Sequence, residues 1–278
     1  MSYKTILVQL GNKRRADAIL EPAVDLASRF NAHLIGLYVQ ATVPVPALPL
    51  PFASSVLEKL AAQELAASSA VEEVFSRATA GAALTPEWRL LKLAKADVTS
   101  LVVGHARSAD LVVAGQTDPD WDMSPVFDFP ERLALECGRP VLVVPHVVRH
   151  RRIGRNVAVA WKPTREAARA AFDALPLLKR AETVHILEMG EDDLGPGTLR
   201  ADISIATALG RHGIKPIVHS SSASGLDIGS ALLSRLADLG ADLLVMGAYG
   251  RSRMRELIFG GATREIARHM TVPTLFSH

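Results

Sequence analysis

The sequence predicts an α/β protein made of two tandem doubly wound domains, each with a five-stranded parallel sheet. Three observations support this. Short runs that are apolar throughout alternate with longer amphipathic runs; the whole series occurs twice in the same order; and 278 residues suffice for two domains of ordinary size. Strands that are apolar on both faces and separated by helices imply a parallel sheet covered on both sides.

In the first copy, KTILVQL at 4–10 reads as a strand and ILEPAVDLASRF at 19–30 as a helix. HLIGLYV at 33–39 is the second strand, and VLEKLAAQELAASSAVEEVFSRA at 56–78 the second helix. PEWRLL, a helix around ADVTSLVVGHA, DLVVAG, a helix around PERLALEC, and PVLVVP complete the unit. The second copy runs VAVAW, TREAARAAFDALPLL, TVHILEM, GTLRADISIATALGRHG, KPIVHS, IGSALLSRLADLG, DLLVMG, ATREIARHM and PTLFS. The expected domains are 1–146 and 153–278. Setting Ile6 on Val157 puts the copies 151 residues apart, whereas Asp110 on Asp242 gives 132, so the first copy carries about 19 extra residues. ATVPVPALPLPF at 41–52 lies in that interval, and its prolines predict an extended loop after the second strand.

Composition narrows the function. A net charge of +2 is too near neutral for a general nucleic-acid or membrane-surface binder, and no stretch is long and apolar enough to span a bilayer. The densest basic run, HVVRHRRIGR at 146–155, reads as a solvated linker. The single cysteine, Cys137, excludes an internal disulfide, suits a reducing compartment and falls on an apolar helix side, where a core thiol is expected. With no secretory signal evident, the expected location is cytoplasmic.

GAYGRSRMRELIFGGAT at 247–263 follows the strand DLLVM. In open parallel sheets, ligands bind beyond the carboxyl ends of the strands, where connections diverge to opposite faces. Gly247 and Gly250 allow close approach of backbone amides, and Gly260, Gly261, Ala262 and Thr263 lead into a helix whose free amino-terminal amides suit phosphate.

The spacing glycine, two residues, glycine, nine residues, glycine resembles the nucleotide loop of the universal stress protein family. The whole second half looks like that family, and the first half resembles it more weakly, so the chain looks like a tandem member. The resemblance implies an adenine nucleotide alpha hydrolase-like fold and ATP or another adenine nucleotide as ligand, with Gly247, Gly250 and Gly260 as the loop glycines. Gly261 stands where a serine or threonine is usual, and Thr263 would supply a side-chain donor. Arg251 and Arg253 would screen phosphate charge or stand as solvated surface residues. Where the family pattern has an acid after the first strand, this chain has Trp161 and Lys162. Lysine accepts no hydrogen bond from ribose, but it would meet a phosphate, and the indole would stack on a base or cover the helix. The family also implies pairing through the last strands, PVLVVP and PTLFSH, which fusion would make an intramolecular pseudo-dimer, with a further homodimer open.

In the first half, Gly11 holds the acid's place, and the loop after Gly115 reads QTDPDWDMSPVFDFPE. Asp118, Asp120, Asp122 and Asp128 would repel phosphate, so this site is expected to be inactive. DPDWDMS lacks the glycine and glutamate of a calcium loop, and no metal is expected. The nine histidines form no metal-ligand pair, and there is no nucleophile elbow or Walker lysine. The expected protein is therefore a stress-associated nucleotide sensor or regulator rather than an enzyme, although some relatives hydrolyse ATP slowly. The alternatives are a scaffold of the same fold that acts through protein partners, or a binder of another small anionic or apolar ligand.

Overall fold

The computed structural model describes residues 2–41, 50–93, 97–121, 123–124, 129–147, 152–190, 204–222, 228–248 and 261–278. The first half comprises β1 (Thr5–Gln9), α1 (Lys13–Phe30), β2 (His33–Ala41), α2 (Leu50–Thr79), β3 (Thr85–Leu93), α3 (Val98–Ala106), β4 (Leu111–Gly115), α4 (Pro130–Glu136) and β5 (Val141–Val144). The second half comprises β6 (Asn156–Trp161), α5 (Arg165–Asp173), α6 (Leu175–Leu178), β7 (Thr183–Gly190), α7 (Ile205–Arg211), β8 (Ile217–Ser222), α8 (Ile228–Leu239), β9 (Leu243–Gly247), α9 (Gly261–His269) and β10 (Thr274–Ser277).

The ten strands form one sheet in the order β3-β2-β1-β4-β5-β10-β9-β6-β7-β8. Each half is a parallel, doubly wound sheet, and the halves join where β5 meets β10 antiparallel, with Thr274 opposite Val143 and Phe276 opposite Val141. VLVV and TLFS are buried at every position, so leaving either as an edge would strand amides and apolar side chains together. One core cluster lies between the sheet and α1, α2, α5, α6 and α7, and the other between the sheet and α3, α4, α8 and α9.

The repeats share a structural staple. Asp110 accepts hydrogen bonds from the backbone amides of Lys4 (2.7 Å) and Thr5 (3.0 Å). Its counterpart Asp242 does the same for Gly154 (2.9 Å), Arg155 (3.0 Å) and Asn156 (3.1 Å). Each aspartate thereby fixes the entry of the first strand of its half. On the α1 side the halves are also tied by Tyr3, whose hydroxyl donates to Asp173 O (2.7 Å), and by Arg180, which donates to Arg29 O (2.6 Å) and lies over the Phe30 ring.

Three boundaries differ from the sequence reading. α1 begins at Lys13 rather than near Ile19, because the Asn12 side chain accepts from Arg15 N (3.0 Å) and caps a polar first turn. Most of the expected extended loop, 42–49, lies outside the described residues, but its last positions are helical: α2 already starts at Leu50, with Pro51 in the first turn, where a missing N–H costs no helical bond. TREAARAAFDALPLL is two helices rather than one. The break falls at Ala174, since Pro176 has no N–H to continue the ladder.

Candidate nucleotide crevice

In the second half, β6 lies beside β9 with Val159 opposite Val245, so Trp161 and Gly247 end neighbouring strands. β6 connects onward through α5 on one face, and β9 through α9 on the other. The carboxyl ends of β6 and β9 therefore flank the point where the connections diverge. Gly261, Ala262 and Thr263 form the first turn of α9, with Gly261 exposed and Thr263 buried. Gly250, Arg251, Arg253 and Gly260 lie outside the described residues.

Gly247 has a packing reason to be glycine. A Cβ there would lie 2.5 Å from both Ala167 N and Glu166 C, inside the backbone of α5. The Thr164 side chain caps α5 by accepting from Ala167 N, as Asn12 caps α1 by accepting from Arg15 N, so Ala167 corresponds to Arg15. With alanine at this place the helix backbone itself rests on the strand end. Glu166 is nearly enclosed beside it. Burial opposes its ionisation, but its own backbone amide, the Arg165 guanidinium at 2.9 Å and His278 outweigh that and hold the carboxyl below its ordinary range. Trp161 is half-buried against the α5-side cluster, the face opposite α9, while Lys162 is exposed.

The first half treats the same place differently. The Arg15 side chain is buried against Gly115, where a Cβ would meet Ile19 Cδ1 at 2.9 Å and Arg15 Nη1 at 3.1 Å. Its guanidinium donates to Gln116 O and to Val144 O (3.2 Å), joining the ends of β4 and β5. Beyond Gly115 the chain turns back on itself. Asp118, 3 % exposed, accepts from Asp120 N (3.0 Å), its own amide donates to Ser124 Oγ (2.7 Å), and Arg14 lies 4.0 Å from its carboxylate. Trp121 and Met123 pack on the α4-side cluster. Asp122 and Asp128 lie outside the described residues.

Two arrangements escaped the sequence reading. His185 on β7 and His219 on β8 come together, with Nδ1 of one 2.9 Å from Nε2 of the other. Ring centroids 5.1 Å apart mean that the nitrogens face each other along one line, as in an N–H···N hydrogen bond. Burial and the neighbouring imidazole push the His185 pKa down. Among the described residues no group of three or more His, Cys, Asp or Glu converges as metal ligands would. The second arrangement is Gln116, whose side chain crosses between the halves. Cys137 is buried, and burial raises its thiol pKa. No helix among the described residues is long and apolar enough to cross a membrane.

The fold and crevice define a class: two fused copies of a doubly wound α/β unit with a glycine at the end of each fourth strand, joined through their fifth strands. The universal stress protein family model matches residues 2–145 and again 154–278, and the chain belongs to that family, in two copies. A universal stress protein from Archaeoglobus fulgidus DSM 4304 is similar over the full length. The TM-score is 0.72 at 18% identity, covering 100% of this chain and 96% of that one. A functionally unknown protein from Pseudomonas aeruginosa PAO1 aligns with a TM-score of 0.56 at 14% identity over 99% and 92% of the two chains. The universal stress protein from Archaeoglobus fulgidus in complex with dAMP aligns with a TM-score of 0.31 at 18% identity, over 52% of this chain and 99% of that one. Among curated proteins no match was found.

Proposed function

We propose that the second half binds ATP or a related adenine nucleotide and that the chain acts in the cytoplasm as a stress-linked sensor or regulator rather than as an enzyme. The contrast between the two crevices carries this reading. In 153–278, the glycine spacing runs from the end of β9 to the first turn of α9, and the amino end of a helix suits phosphate, with Lys162 exposed at the end of the neighbouring strand. In 1–146, Arg15 is enclosed beside Gly115 and Asp118 is enclosed beyond the end of β4, which supports an inactive first site. The amides of Gly250, Gly260 and Gly261 would line the phosphates, Thr263 and Arg251 would add donors, and Gly247 would let the chain turn away from the strand.

A second reading, a scaffold of the same fold that binds no nucleotide, draws support from Gly247, because α5 alone accounts for a glycine there. Titration calorimetry with ATP separates the two. The expected result is at most one nucleotide per chain, weakened more than tenfold by Gly250→Asp, which sets a charge against the phosphates. Two equivalent sites, or unchanged affinity in a folded Gly250→Asp protein, would overturn the assignment. No heat of binding, together with no ATP-dependent rise in melting midpoint, would favour the scaffold.

A further inference from the structure

Gln116 is the residue immediately after β4, in the half where Arg15 is enclosed beside Gly115, yet its side chain serves the other half. It is 1 % exposed. Its amide nitrogen Nε2 donates to Ala267 O and Arg268 O, both at 2.9 Å, which are carbonyls of the last turn of α9. Its Oε1 accepts from the His146 amide (3.0 Å) and from His146 Nδ1 (2.8 Å). The side-chain amide has only one orientation that fits: nitrogen toward two carbonyls, oxygen toward two N–H groups. The main chain at this residue is equally constrained, because its N donates to Val144 O (2.9 Å) and its O accepts from the enclosed Arg15.

The antiparallel seam explains why this residue reaches α9. β10 starts beside the end of β5, so the carboxyl ends of the first-half strands lie where α9 finishes before entering β10. The last carbonyls of a helix have no partner within it, and Gln116 supplies partners for two of them. The reverse contact is missing. The residue after β9 is Ala248, whose side chain has no donor to offer α4, and whose carbonyl instead accepts from His278 Nδ1 (2.8 Å).

From this we infer that Gln116 is a positioning residue: the first half, through Gln116 held by Arg15 and His146, braces α9 from its carboxyl end and so fixes the orientation of its amino end. Resting on the nucleotide reading above, this makes the first half a fixed support for the second-half phosphate site. A nine-residue helix is about 13 Å long and moves as one rod, so a support at one end sets the aim of the amides at the other.

The test uses the full chain and two variants. Gln116→Met keeps the volume and removes the four side-chain hydrogen bonds, leaving the two of its main chain, while Val8→Ala weakens the first-half core without touching α9. Hydrogen exchange of the α9 amides and ATP affinity are both measured. The expected result is exchange about tenfold faster across α9, with about tenfold weaker ATP binding, in Gln116→Met, and neither change in Val8→Ala. Unchanged α9 exchange in Gln116→Met would overturn the brace, as would equal effects in Val8→Ala. Faster exchange with unaltered ATP affinity would overturn the positioning role. If the unmodified chain binds no ATP while Gln116→Met still loosens α9, the brace stands and the nucleotide reading is what fails.

Discussion

Replacing Gly247 with alanine separates packing from ligand binding at this glycine. The added methyl would lie 2.5 Å from Ala167 N and Glu166 C and 2.9 Å from Glu166 Cβ. Comfortable contact needs about 3.5 Å or more, and the obstructing atoms are mostly backbone, so α5 as a whole would have to recede by roughly 1 Å. Overpacking of this kind costs about 1–3 kcal/mol, and a backbone obstacle belongs at the upper end. For a chain of this size that corresponds to a fall of about 3–5 °C in melting midpoint. Gly115→Ala is the internal control. There the methyl meets the ends of the Ile19 and Arg15 side chains, at 2.9 and 3.1 Å, which need give by only a few tenths of an ångström where α5 would have to move as a body, so its cost should stay near about 1 kcal/mol. Thermal unfolding without nucleotide, followed by circular dichroism, makes the comparison. Equal losses in the two variants, or no loss in Gly247→Ala, would refute the argument that α5 rests on this strand end.

Two further outcomes follow from the same structure. Asp242→Ala removes the acceptor for three backbone amides at the entry of β6 and should cost about 1.5–3 kcal/mol, with Asp242→Asn recovering part of it; a chemical denaturation midpoint unchanged by the alanine would contradict the staple. Glu131 has its carboxyl pKa raised, mainly by burial beside Pro130, Ala134, Val143 and Phe276, with its own backbone amide and Arg268 partly opposing the shift. A folded pKa above the unfolded 4.5 means that ionisation weakens the folded state at neutral pH and that the penalty is absent below about 4.5. Glu131→Gln should therefore raise the melting midpoint at pH 7 and leave it unchanged at pH 4; a gain that persisted at pH 4 would show a different cause.

The duplicated architecture was legible because it is written in periodicity. Runs such as DLVVAG and DLLVMG are apolar at successive positions, and only a doubly covered strand requires that. Helix ends were less visible. α1 starts in the polar segment NKRR, where one asparagine side chain sets the boundary, and hydrophobic spacing carries no trace of it. The glycine spacing of the second half could be read directly, but what α5 does to Gly247 depends on how closely a helix approaches a strand. Arg15 and Gln116 stayed hidden for a related reason: each partners groups 101 to 152 residues away in sequence. His185 and His219 became a pair only because β7 and β8 are neighbours in a particular register, with His185 opposite Ile217 and Leu187 opposite His219.

Joining two copies through β5 and β10 in one polypeptide changes what substitution can do. In a symmetric dimer of identical chains, every mutation appears twice, so a change beside one crevice is made beside both. Here each crevice has its own codons. Arginine enters at Arg15 while alanine stands at Ala167, and glutamine at Gln116 while alanine stands at Ala248. A covalent pair thus permits division of labour that a symmetric assembly forbids, and its stoichiometry holds at any dilution.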